Sequence, residues 1–510
     1  MKVTRKPPGY VLASIVCSLG GFLFGIDTGI IGPVTVMDDF KGYVGNPSPT
    51  VHGLIVSSIL IPAAISSFFA GRLADALGRS RSIAIGSAIF AAGAALEAAS
   101  VHIAMFIFGR VVEGVGEGLY LGTLIVYICE ISPPRDRGTL TTAPQLLTTL
   151  GLMTGFFTCY GTANIASSFS WRLPFLLLAG YGVLFSAAAF ACLPPSPRWL
   201  TLRGRADEAE KAWENLDVAA ADREKIMDQQ VNTESVVVSE TDTPMTNIGG
   251  AGQRPIAPSK TKKDNLLEVF ATPDARSRLF LAVFLMGMQQ LSGIDGVLYY
   301  APLLFQQAGL DSNKATFLAS GVSAIVIFAI TIPATIYADQ WGRRISTILG
   351  GLGMTATMFL MGSLYAGGAV YAGTGAGRWV VIVSIYVFAV IYCTSWAVSM
   401  KLYTAEIQPQ KTRASATSIA HGSNWVSNFL VALFTPSLLA KSSYGAYFLF
   451  GGCTLLTALV CCVFMPETRG KSLDDIDAAF RKAGRGPPRL GVTGGLKKWV
   501  GMMKGMSVVR

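Results

Sequence analysis

Residues 109–138 read GRVVEGVGEGLYLGTLIVYICEISPPRDRG. Past Arg110 the stretch is apolar and rich in glycine as far as Cys129, interrupted only by Glu113 and Glu117, and it ends on Glu130, two prolines and Arg137. With the apolar residues just before it, the stretch approaches the ~20 residues that cross a bilayer. Its basic residues collect beyond one end, which reads as a spanning helix followed by a short cytoplasmic loop. Charges inside such a run are expensive in lipid, so Arg110 and the two acids face the protein interior. Glu113 and Glu117 share a helix face with Arg110. They either extend a proton path or neutralise the arginine. The same acid–base spacing returns downstream: Glu130 and Arg137 are repeated as Glu406 and Arg413, and Asp75 and Arg79 as Asp339 and Arg343. Matched pairs at corresponding positions of two halves read as the internal repeat on which many transporters build alternating access.

The rest of the chain agrees. Of its 510 residues 51% are hydrophobic and only 14% charged, with mean hydropathy +0.48. About a quarter of a soluble domain is charged, so much of this chain faces lipid. That excludes a soluble α/β enzyme, a secreted disulfide scaffold and a disordered chain. Twelve apolar spans are expected, at 10–32, 52–71, 82–100, 103–126, 139–162, 172–193, 279–303, 315–338, 345–367, 379–402, 413–438 and 444–465. They divide the chain into an N-terminal six-helix half (1–197), a cytoplasmic linker (198–278), a C-terminal six-helix half (279–466) and a cytoplasmic tail (467–510). In the linker, RADEAEKAWENL suits a short amphipathic helix, and TESVVVSETDTPMTNIGGAGQRPIAPSK has the composition of disorder. Of the 41 Lys and Arg, only Lys41, Arg172, Lys314, Arg378 and Lys441 fall in outer segments, and Arg110 and Lys401 fall within spans. This bias puts both termini in the cytoplasm and accounts for the net charge of +10 without nucleic acid. The N-terminus leads into span 1 with no small-residue cleavage site, so it reads as a first span rather than a removable signal. Eight cysteines lie in apolar stretches with no CxxC pair, and His52, His102 and His421 are scattered. Neither a disulfide framework nor a metal centre is expected.

Asp27 lies deep in span 1, and an intramembrane carboxylate is a functional candidate by default. At ~1.5 Å rise per residue Arg110 reaches a similar depth in span 4. Burial and a cationic neighbour act on such a carboxyl in opposite senses, and the balance leaves it able to titrate. The alternative is a permanent buried ion pair. Gly21, Gly25 and Gly29 give span 1 a face for close approach of a neighbour. Span 7 offers Gln289, Gln290, Tyr299 and Tyr300, with Gly293 and Gly296 able to break the helix between them. Neutral hydrogen-bonding groups and an aromatic face are what a sugar ring needs.

Taken in order, Gly25-Ile-Asp27-Thr-Gly29, GRLADALGR (71–79), GRVVEGVGEG (109–118), Glu130-Ile-Ser-Pro-Pro-Arg-Asp-Arg137-Gly138, Pro194-Pro-Ser-Pro-Arg198-Trp-Leu200, QQLSGIDGVLYY (289–300), ADQWGRR (338–344) and Pro466-Glu-Thr-Arg-Gly470 resemble the sugar porter family of the major facilitator superfamily, fungal monosaccharide transporter type. The resemblance covers nearly all of the chain outside the linker and tail. It implies an all-α membrane protein with twelve transmembrane helices in two six-helix halves. It implies that Asp27 and Arg110 couple proton binding to transport, where facilitative carriers tend to have Asn in place of the Asp. It also implies that Phe24, Gln145, Gln289, Gln290, Asn424 and Trp425 line the sugar site and that Tyr299 and Tyr300 form an outer gate. Arg72, Asp75, Arg79, Glu130, Arg137, Arg198, Asp339, Arg343, Arg344, Glu406, Arg413 and Glu467 would form a cytoplasmic latch whose inter-helix ion pairs exist only when the cavity opens outward.

The chain departs from the family pattern at Asp295, where Asn is common, and at Ala397-Val398-Ser-Met-Lys401, where Gly-Pro and a cavity Trp are common. Lys401 is a candidate cavity charge or snorkels to the inner surface, and Asp295 is expected to hydrogen-bond a sugar hydroxyl. In unbroken helices the two would lie roughly 20 Å apart along the membrane normal. The function expected is secondary active transport of a monosaccharide, hexose or pentose, by proton symport with alternating access, at the plasma membrane. A sugar acid such as galacturonate is the alternative substrate, and a non-transporting sugar receptor the alternative function. The expected partners are a small-molecule sugar, the proton and the lipid bilayer, with no nucleic acid. No cofactor and no enzymatic activity are expected, since no nucleophile–base pair appears.

Overall fold

The computed structural model describes residues 7–45, 47–220, 222–223, 270, 272–310, 313–337, 342–370, 375–409 and 413–469. All regular structure among these is helical. The N-terminal half comprises α1 (Gly9–Val36), α2 (Asp38–Val44), α3 (Pro49–Ser57), α4 (Leu60–Leu77), α5 (Arg79–Ala98), α6 (Ile103–Ile131), α7 (Pro134–Thr162) and α8 (Phe169–Cys192). Two short helices follow, α9 (Pro197–Leu202) and α10 (Ala206–Asn215). The C-terminal half comprises α11 (Pro273–Leu291), α12 (Ile294–Tyr299), α13 (Ala301–Gln307), α14 (Asn313–Tyr337), α15 (Arg343–Ala366), α16 (Gly377–Thr394), α17 (Trp396–Glu406), α18 (Arg413–Lys441) and α19 (Gly445–Phe464).

Ten helical segments among the described residues are long and apolar enough to cross a membrane. Two more, α7 and α18, match them in length but carry rows of Thr, Gln, Ser and Asn. These are helices that meet the opposite half, α7 against α14 and α18 against α3 and α4, so their polar residues are shielded from lipid. The amphipathic helix expected in the linker is α10, with Ala209, Ala212 and Trp213 buried. It docks under the start of α1, where the Tyr10 amide donates to the Leu216 carbonyl at 2.8 Å. α2 has no counterpart in the expected spans.

α1 and α7 cross at backbone contact. A Cβ added at Gly21, Gly25 or Gly29 would run into the carbonyl oxygens of Pro144, Thr148 and Leu152 respectively. Backbone cannot yield as a side chain can, so Gly25→Ala is expected to cost about 1–3 kcal/mol, the usual range for overpacking. Gly122 has open space around it, and Gly122→Ala is expected to gain slightly through helix propensity. Thermal unfolding in detergent checks both. An unchanged midpoint for Gly25→Ala would mean that the seam is looser than drawn.

Span 7 is broken, as Gly293 and Gly296 suggested. Gly293 adopts φ 86°, a left-handed conformation that glycine enters without steric cost. Span 10 breaks as well, at Ser395 (φ −120°, ψ −77°), although the Gly-Pro pair is missing. The Ser395 hydroxyl donates to the Ile391 carbonyl at 2.5 Å, and Trp396 Nε1 donates to the Thr347 carbonyl at 2.8 Å. These bonds hold the broken end in place. The halves meet where α1 and α3 reach α12 and α18. Gly32 packs on the Tyr299 carbonyl and Gly53 on the Leu433 carbonyl. His52 and Tyr300 stack edge-on at 5.3 Å, and the Tyr300 hydroxyl donates to the Ala432 carbonyl at 2.6 Å.

Candidate functional site

α1 and α6 bring Asp27 and Arg110 together in the membrane interior. Arg110 Nη1 lies 2.5 Å from Asp27 Oδ1, with the two residues 1% and 3% exposed. Arg110 also reaches Glu113 Oε2 at 3.0 Å and Glu97 Oε2 at 3.8 Å. Glu97 was not foreseen. It is the lone charge in AAGAALEAAS, and the reasoning that singled out Asp27 applies equally to it. Glu117 is fully buried one turn below Glu113.

The second half gathers the amides. Gln289 Nε2 donates to the Trp396 carbonyl at 2.8 Å, and Gln290 Nε2 to Asn424 Oδ1 at 3.1 Å. Asn424 Nδ2 donates to Gln289 Oε1 at 3.1 Å and to the Met286 carbonyl at 2.9 Å. Gln290 Oε1 is buried without a partner, which leaves an acceptor for an incoming hydroxyl. Trp425 is half-buried and packs against the core of the opposite half. Phe24 is half-buried on α1, and Gln145 is exposed on α7. Tyr299 and Tyr300 are buried where the halves join.

Asp295 is half-buried on α12, and Lys401 is exposed on α17. No carboxylate oxygen among the described residues lies within 4.0 Å of Lys401.

The acids and arginines of the expected latch form two matching clusters, each within one half. Arg79 Nε lies 3.1 Å from Glu130 Oε2 and its Nη1 2.9 Å from Asp75 Oδ1. The Ser196 hydroxyl donates to Glu130 at 2.5 Å. In the second half Arg343 pairs with Glu406 at 3.4 Å, and the Thr468 hydroxyl donates to Glu406 at 2.6 Å. Ser196 and Thr468 are therefore repeat partners that the charge spacing did not reveal. The Arg79–Glu130 and Arg343–Glu406 pairs each join helices of a single half, α5 to α6 and α15 to α17. Glu467 acts on backbone amides. It caps α15, accepting from the Arg343 amide at 2.8 Å and the Arg344 amide at 3.2 Å. Arg344 donates to the Cys462 carbonyl at 2.7 Å, and Arg137 to the Ser132 carbonyl at 3.4 Å. Arg72 is exposed and Arg198 half-buried. Asp339 and the Arg413 side chain lie outside the described residues.

The profile of the family described as "Sugar (and other) transporter" matches residues 13–480. A protein of Aspergillus cristatus named as the MFS-type transporter criB is 32% identical, over 91% of this chain and 92% of that one. The high-affinity glucose transporter of Kluyveromyces lactis is 29% identical, over 92% and 84%. Among solved structures, the proton:xylose symporter XylE bound to 6-bromo-6-deoxy-D-glucose superposes with a TM-score of 0.72 at 25% identity, covering 92% of this chain and 99% of that one. The inward-open xylose transporter XylE from E. coli gives the same score at 23% identity. The match over nearly the whole length, on a helical fold with two six-span halves, means that this chain is a multi-pass membrane protein belonging to the sugar transporter family of the major facilitator superfamily.

Proposed function

We propose that the protein carries a neutral monosaccharide, a hexose or pentose, across the plasma membrane together with a proton, with both termini in the cytoplasm. The observation that carries this reading is the buried Asp27–Arg110 pair on α1 and α6, because α1 also touches the opposite half at α12 and α13. Protonating Asp27 from outside releases Arg110 from that carboxylate and alters the helix on which the halves meet. The sugar is held by Gln289, Gln290 and Asn424, with Gln145, Phe24, Trp425 and Asp295 completing the site. Tyr299 and Tyr300 close over it, and the halves then open inward. The relatives named as glucose transporter and proton:xylose symporter support the same substrate class.

Uptake of labelled glucose, xylose, arabinose and galacturonate by transporter-null yeast, with and without a protonophore, tests the reading. Accumulation that the protonophore leaves untouched would refute the coupling. Gln290→Ala removes a bond worth about 0.5–1.5 kcal/mol. It is expected to raise the half-saturation concentration several-fold at normal expression, and an unchanged value would remove Gln290 from the site.

A second reading, transport of a sugar acid, is favoured by Lys401, which has no carboxylate of the described residues within 4.0 Å. Strong galacturonate uptake that disappears in Lys401→Trp would replace the neutral-sugar reading with this one.

A further inference from the structure

The Asp27–Arg110 pair belongs to a larger group than one-proton symport requires. Arg110 is in reach of three carboxylates at 2.5, 3.0 and 3.8 Å, from Asp27, Glu113 and Glu97. Glu117 adds a fourth a turn away. Glu97, Glu113 and Glu117 are all 0% exposed. Both oxygens of Glu97, both of Glu117 and Oε1 of Glu113 are buried without a hydrogen-bond donor. A buried charge is sustained only by a partner, and one guanidinium offsets one of these four. A carboxylate oxygen can only accept, whereas a protonated carboxyl supplies a donor, the group these neighbours lack.

The glutamates are pressed together by the backbone. A Cβ at Gly93 of α5 would strike the Glu113 backbone on α6, and a Cβ at Gly109 of α6 would meet Glu97 Cγ. The two helices cross where neither has a side chain, and the Glu97 and Glu113 carboxyls face the same Arg110 nitrogen at 3.8 and 3.0 Å. The other titratable groups whose charges act around this cluster are Asp27 of α1, Glu117 and Tyr120 of α6, Tyr181 of α8 and Tyr299 of α12, with Arg110 as the cation.

We infer that Glu97 and Glu113 form a second proton-binding site, a facing carboxyl pair that holds one shared proton beside Arg110, separate from the proton carried by Asp27. A proton from the outer water adds to one carboxylate oxygen, and its O–H donates to the other carboxylate. No other bond forms or breaks. The pair then carries one negative charge, which balances Arg110, and Asp27 can gain or lose its own proton without leaving the guanidinium uncompensated. The pair deepens the proposed function in that its consequence for transport rests on Asp27 as the coupling carboxyl, but the site itself does not.

The test is infrared pH-difference spectroscopy of the purified full chain in lipid, read on the protonated-carboxyl band, to which the surface acids contribute equally in every arm. Glu117 is present in every arm and cancels from the comparison. The Asp27→Asn protein is expected to retain a titrating band. The Glu97→Gln/Glu113→Gln protein is expected to lose it while keeping the band of Asp27. Glu97→Asp, which withdraws the acid by one methylene, is expected to shift the band and covers the case in which the double variant does not fold. Loss of all titrating signal in Asp27→Asn would overturn the inference, as would a spectrum identical to the parent's in the double variant or in Glu97→Asp. None of these readouts depends on sugar uptake. A failure of the symport reading therefore leaves them intact, and their failure leaves that reading standing.

Discussion

Asp27→Asn is expected to abolish accumulation of sugar against a gradient while leaving exchange across the membrane. Asparagine keeps the size of the side chain and can still accept from Arg110, so the α1–α6 contact survives. It cannot take up a proton, so the step that links the outer pH to the movement of α1 is lost. The Glu97–Glu113 pair does not rescue this. α5 packs on α4, α6 and α8 within its own half, whereas α1 carries Gly32 against the Tyr299 carbonyl of the other half. A proton on the pair changes charge without pushing on the interface. Counterflow of labelled sugar in vesicles, measured beside uphill uptake, separates the two activities. Full accumulation by Asp27→Asn would place the coupling carboxyl elsewhere.

Arg79→Ala is expected to destabilise the N-terminal half by about 3 kcal/mol, the low end of the range for breaking a buried ion pair. The loss lies mainly with Glu130. Its side chain is 4% exposed and that of Arg79 10%, at 3.1 Å. Without the arginine Glu130 keeps, among the described residues, the Ser196 hydroxyl as its one side-chain partner. Asp75 pairs with the same guanidinium at 2.9 Å but is 72% exposed. Water takes over when that pair is broken, so Asp75→Ala is expected to cost less than about 1 kcal/mol. Arg343→Ala falls between them, since Glu406 is 28% exposed. Apparent unfolding midpoints in detergent, taken at one scan rate, should rank the three in that order. Equal effects of Arg79→Ala and Asp75→Ala would mean that burial does not set the strength of this cluster.

The spans and the family were legible in the residues because each rests on a local requirement. A bilayer demands ~20 apolar residues with every backbone group bonded inside the helix, and the apolar runs state that directly. The motif order states the family. Asp27 and Arg110 were legible as candidates because a charge within an apolar run stands out; Glu97 meets the same measure but was not singled out. The close approach at Gly21, Gly25 and Gly29 was readable from spacing, but not that α7 would fill it.

Which side chains meet was decided by the tertiary structure. An α-helix turns ~100° per residue, so an uncertainty of two residues in where a span begins leaves its buried face undetermined. That Arg110 reaches Glu97 depends on the crossing of α5 and α6 at Gly93 and Gly109. That Gln289 spends its amide N–H on the Trp396 carbonyl depends on the breaks at Gly293 and Ser395. The glycine break was readable from the residue type. The break at Ser395 was not, because it is held by Trp396 on Thr347 and by Ser395 on Ile391. Apolarity and chain order are written along the sequence, whereas rotation, crossing distance and the partner of each polar atom exist only once the helices have packed.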